Sequence, residues 1–93
     1  MESIEFNGEA TLSFRQIDEL NGFRKGTAFR VFKHAGHDLE EGVDYHYLPQ
    51  SQHRQYINQL SRAGHIYVST AHLVLITRSG YEKLKTTLAS GSP

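Results

Sequence analysis

The sequence predicts a small single domain of the α+β class: an N-terminal helix-turn-helix, a short antiparallel β-sheet and a C-terminal helix. Three observations predict it. Residues 13–35 hold two segments of helical periodicity on either side of Asn21-Gly22. Residues 43–48 and 73–77 are β-rich runs of strand length, with another helical period between them. The 93 residues have room for one domain, and a chain this short buries only roughly 60–65% of its unfolded surface. The domain is therefore residues 1–93, with the paired helices at about 13–35, strands and helices at about 43–88 and a flexible tail at 89–93.

Residues 4–12 alternate loosely and read as a short strand or an arm. Ser13 then caps a helix from Phe14 through Leu20, on which Phe14, Ile17 and Leu20 share the core side. Asn21-Gly22 supplies the positive φ that stops this helix and turns the chain. A second helix begins at Lys25 or Thr27 and runs to Ala35, because Ala28, Val31, Phe32 and Ala35 follow the i, i+3, i+4, i+7 spacing of a buried stripe. At about 100° per residue, Thr27, Arg30, Lys33 and His34 lie opposite that stripe, with Phe29 on the boundary. Gly36 ends the helix, and residues 38–41 read as a short helical turn closed by Gly42.

The aromatic alternation of residues 43–48 marks a strand that Pro49 stops. Ser51 is placed to cap a third helix reaching about Ala63, with Tyr56, Ile57 and Leu60 inward and Arg54 and Arg62 outward. After Gly64, residues 66–69 and 73–77 read as two more strands. Ser79-Gly80 opens the last helix, with Tyr81, Leu84 and Leu88 on its packing side.

Composition narrows the function. The chain has no cysteine, which removes disulfides, thiolate zinc sites and cysteine nucleophiles together and fits a reducing cytoplasm. Its longest apolar run, residues 73–76, is far too short to cross a bilayer, and its acidic start does not resemble a secretory signal, so a cytoplasmic chain with no membrane partner is expected. The formal net charge is zero, but nine of the ten acids lie in residues 1–44. In residues 45–93 Glu82 alone faces Arg54, Arg62, Arg78, Lys83 and Lys85. A neutral chain of this kind can hold a polyanion where its cations share a face.

Residues 21–34 concentrate that opportunity, for they hold Arg24, Lys25, Arg30 and Lys33 and no acid. A helix fits the major groove of DNA, and its outer side must then carry donors for base edges and phosphates. Thr27, Arg30, Lys33 and His34 qualify on the second helix. Arg24 and Lys25 fall at its start, where the positive end of the macrodipole disfavours cations, and together with the free amides there they are suited to a phosphate. A β wing following the two helices would be flanked by Arg62, His65 and Arg78 and would add Arg62 and Arg78 to the contact. The same spacing also describes an ordinary solvated helix face, or one that binds a protein.

Neither cofactor, metal nor catalysis is expected. Six histidines are present, and His34 and His37 are three apart, but no HExxH or CxxC motif accompanies them. There is no P-loop, no nucleophile elbow and no pair of carboxylates set on one face of a short element. The five tyrosines and Phe29 support a different alternative, a protein-interaction module, if several of them are exposed.

The segments at residues 12–20, 25–32, 41–45 and 75–81, in that order, resemble the N-terminal DNA-binding domain of phage antirepressor-type proteins, relatives of the KilA-N and Bro-N domains. The resemblance spans about residues 10–88. It implies a phage or prophage transcription regulator in a bacterial host cell, with duplex DNA as partner and Thr27, Arg30, Lys33 and His34 facing the groove. Members typically join such a domain to a separate C-terminal module. Because antirepressors also act by binding a repressor, the resemblance admits a repressor or host protein as partner in place of DNA. A homodimer would double the DNA surface that one small module covers.

Overall fold

The computed structural model describes residues 2–68 and 70–89. Strands β1 (Ile4–Phe6) and β2 (Glu9–Leu12) form a hairpin around Asn7-Gly8. Both turn residues have positive φ, at 53° and 77°, as a two-residue hairpin loop of this twist needs. Helices α1 (Phe14–Asn21) and α2 (Thr27–Ala35) follow, then a single 3-10 turn at Gly36–Asp38. Strand β3 (Tyr45–Pro49) runs directly into α3 (Gln50–Arg62), and β4 (His72–Thr77) directly into α4 (Arg78–Ala89).

The four strands form one antiparallel sheet in the order β1-β2-β4-β3. The central strand β4 is buried on both faces, which explains why its sequence is an unbroken apolar run rather than an alternation. Its Leu73 and Leu75 enter a core with Ile4, Leu48, Ile66 and, from α3, Ile57 and Leu60. Val74 and Ile76 point the other way, toward Ile17 of α1, Ala28 of α2 and Leu84 of α4. The sheet thus separates α3 on one side from α1, α2 and α4 on the other.

A buried carboxylate ties the end of this sheet to α4. Asp44 accepts hydrogen bonds from the Glu40 amide at 2.9 Å, the Ser79 hydroxyl at 2.6 Å and the Lys83 ammonium at 2.6 Å. Lys83 and Ser79 hold its carboxyl well below the usual range, at about 2. Thr77 donates its hydroxyl to the Val43 carbonyl and accepts from the Gly80 amide, so it caps α4 while anchoring the preceding loop. A Cβ on Gly80 would lie 1.9 Å from the Asp44 carbonyl oxygen, so no larger residue fits there without moving backbone.

Several local expectations are corrected. Residues 4–12 are a hairpin rather than one strand or arm, because Asn7-Gly8 is itself a turn. The short helical turn lies at Gly36–Asp38, ahead of 38–41, and the strand after it begins at Tyr45, leaving Val43 exposed. The N-cap of α3 is Pro49, with no side-chain cap bond, and the first turn is set off by a kink at His53 (φ −132°, ψ 29°). Leu20 is 53% exposed rather than on the core side. Residues 66–68 form no strand, and residue 69 lies outside the described residues. Of the expected tail, Ala89 ends α4 and residues 90–93 lie outside the described residues.

Candidate nucleic-acid interface

The α1–α2 connection owes its shape to Asp18. Ser13 caps α1 in a reciprocal box with Gln16, and Gly22 closes the helix at φ 67°. The N-cap of α2 is Gly26, whose φ of 90° a side-chain-bearing residue would adopt only with strain, and Gly26 offers no side chain to cap the helix. Asp18, from the preceding helix, supplies the missing acceptor. Its carboxylate takes the Gly26 amide at 2.9 Å and the Ala28 amide at 2.8 Å, and also the Tyr67 hydroxyl. A carboxylate 1% exposed is tolerated because donors surround it and the positive end of the α2 dipole faces it. Burial, followed by the bond to Asp18, pushes the Tyr67 hydroxyl up to about 12.

This overturns one expectation. The sequence suggests first amides of α2 open to a phosphate, but Asp18 already occupies those of Gly26 and Ala28. An anion at this end must be held by side chains instead. Arg24 and Lys25 are both exposed, and the Lys25 ammonium lies 5.1 Å from the Tyr67 ring centre.

Arg30, Lys33 and His34 are exposed on the outer side of α2, and Thr27 beside them is half-buried. The Arg30 guanidinium reaches the Thr27 hydroxyl at 3.4 Å, and the Lys33 ammonium sits 5.5 Å from the Phe29 ring centre. The ion pairs among the described residues are Arg15–Glu19, His37–Asp38, His46–Glu9 and Lys83–Asp44. Arg24, Lys25, Arg30 and Lys33 are therefore all outside the ion pairs, which leaves their charge available to a partner.

The two remaining basic residues are not drawn into this cluster. Arg78 is exposed at the start of α4, in the same layer as α2. Arg62 is exposed at the end of α3, in the layer across the sheet. Of the segment expected to be a β wing, residues 72–77 are the buried strand β4, and residues 65–67 are a buttress for α1. Ser13 donates its hydroxyl to the His65 carbonyl, Arg15 donates to the Ile66 carbonyl at 3.2 Å, and Tyr67 meets Asp18.

Sequence reasoning missed Asp18 and Tyr67 as the pair that fixes α2. The one signal was a cap position occupied by glycine with no acceptor nearby in sequence. It also missed a groove of about 730 Å³ between α2 and residues 66, 67 and 70–74, walled by Phe29, Phe32, Tyr45 and Tyr47. Among the histidines, His46 meets Glu9 at 2.9 Å and the His72 ring packs on Tyr47. Among the described residues no three histidine or carboxylate groups converge to hold a metal, and no helix is long and apolar enough to cross a membrane.

Comparison of the chain with protein-family models, with curated proteins and with solved structures found no match.

Proposed function

We propose that this domain binds duplex DNA through the outer side of α2, as part of a phage or prophage antirepressor-type regulator acting in the bacterial cytoplasm. The observation that carries the reading is the set Arg24, Lys25, Arg30 and Lys33, grouped on and just before one helix and outside every ion pair among the described residues. Arg30, Lys33, Thr27 and His34 present donors along a single helical side, the geometry that a helix lying in the major groove requires. Arg24 and Lys25 hold the backbone. Two copies on a symmetric site would double the contact.

Fluorescence anisotropy with a labelled duplex pool across a salt series tests this reading. Two phosphate contacts, from Arg24 and Lys25, give a log–log slope of roughly −2, and Lys25→Ala reduces its magnitude by about 1. Absence of binding at low salt by folded protein would reject DNA as the partner. A second reading, docking of a repressor or host protein, draws on Phe29 and Tyr47, which remain 47% and 44% exposed. A pull-down with phage repressors would then be the next experiment.

A further inference from the structure

We infer that the groove beside α2 is a binding site for a small organic acid, an apolar body bearing one carboxylate. Its volume, about 730 Å³, falls in the range of small-molecule sites. Phe29, Phe32, Tyr45, Tyr47 and Val74 give it apolar walls. Phe29 and Tyr47 stay about half exposed although both could be covered by a ligand of modest size. The other strongly exposed apolar residues, Leu20, Val43 and Val68, are not part of its lining, so the exposed apolar surface at the groove is confined to Phe29 and Tyr47.

The charge at the groove selects the ligand's sign. Arg15 and Lys25 both line it and both lie over the same Tyr67 ring, at 5.9 Å and 5.1 Å. Tyr67 has its hydroxyl committed to Asp18, so it stays neutral and offers the cations its ring face. Arg15 already shares its charge with Glu19, whereas Lys25 is in no ion pair among the described residues. A ligand carboxylate reaching this pair gains a charge-assisted bond while its body rests on the rings. Glu41 also lines the groove, bridged to Tyr45, and His72 packs on Tyr47. The Glu41 carboxylate repels an acid there, which orients the ligand with its charge toward Lys25.

The test needs no DNA and so is independent of the function proposed above. 2-Naphthylacetate and its neutral amide are titrated into isotope-labelled protein, and backbone amide shifts are followed by NMR. The acid is expected to shift groove residues and to bind about fivefold tighter than the amide, or more. Lys25→Gln, an exposed position, is expected to abolish that preference while leaving the amide unaffected. Phe29→Ala is expected to weaken both. Equal affinity for acid and amide, or shifts centred on the α3 side of the sheet, would overturn the inference. So would groove shifts that follow protein concentration alone, which would place a second copy of the chain there.

Discussion

Asp44 is a carboxylate with a single job. It is 1% exposed, and with Lys83 and Ser79 bonded to it its folded value is about 2, against 3.8 for the unperturbed group. A carboxyl depressed on folding contributes stability that is complete above the unfolded value and is lost as pH falls through the folded one. The chain is therefore expected to weaken between about pH 4 and 2 through this residue, and Asp44→Asn to remove that part of the dependence. Urea midpoints of both proteins from pH 6 to 2 measure it. At neutral pH the substitution costs roughly 2 kcal/mol, the scale of a hydrogen bond to a charged group. The DNA-binding proposal divides its roles by residue too, between Lys25 before α2 and Arg30 on it. Lys25→Ala should weaken all duplexes alike, whereas Arg30→Ala should relax preference at one base position. Equal loss on a selected site and on random duplexes for both variants would contradict that division.

The element whose orientation matters most is α2, and Asp18 fixes it. Removing the carboxylate leaves the Gly26 and Ala28 amides and the Tyr67 hydroxyl without their acceptor. Asp18→Ala should accordingly cost roughly 2–4 kcal/mol. Hydrogen exchange at Gly26 and Ala28 should accelerate more than at β4, and uniform acceleration would mean that Asp18 serves global stability alone. The helix itself was legible in sequence, since the spacing of Ala28, Val31, Phe32 and Ala35 needs nothing beyond local periodicity. The Ser13 cap was legible for the same reason. Asp18 was not, because its partners are eight and ten residues away across a turn and Tyr67 is 49 away. Residues 66–68 misled because Ile-Tyr-Val has strand composition, yet Ile66 enters the core while Tyr67 and the neighbouring carbonyls serve α1.

For the whole molecule, the sheet sets what α2 can present. With β4 buried on both faces, α3 occupies one side and leaves α2 to pack against α1 and α4 on the other, its cationic side outward. Two of the four segments behind the family resemblance meet at Asp44, Thr77, Ser79 and Gly80, and the other two at Asp18, Gly26 and Ala28. Those residues build the scaffold, and the partner-facing role proposed above is assigned to exposed cations instead. Gly80→Ala probes the scaffold. Helix propensity alone favours alanine by about 1 kcal/mol, but the overlap with the Asp44 carbonyl reverses the sign, and a loss of roughly 2–3 kcal/mol in a urea melt is expected.

In the proposed function DNA is held by α2 and not by cations elsewhere on the surface. Arg30 on α2 and Arg54 on α3 are both exposed, both outside the ion pairs of the described residues, and in different layers. The most direct measurement compares Arg30→Ala with Arg54→Ala by anisotropy on one duplex at low salt. The predicted result is a loss of about tenfold for Arg30→Ala, within the range for a groove-contacting arginine, and a change of less than about twofold for Arg54→Ala. Equal effects of the two substitutions would place the DNA contact away from α2, and no binding by the folded parent protein would reject DNA as the partner.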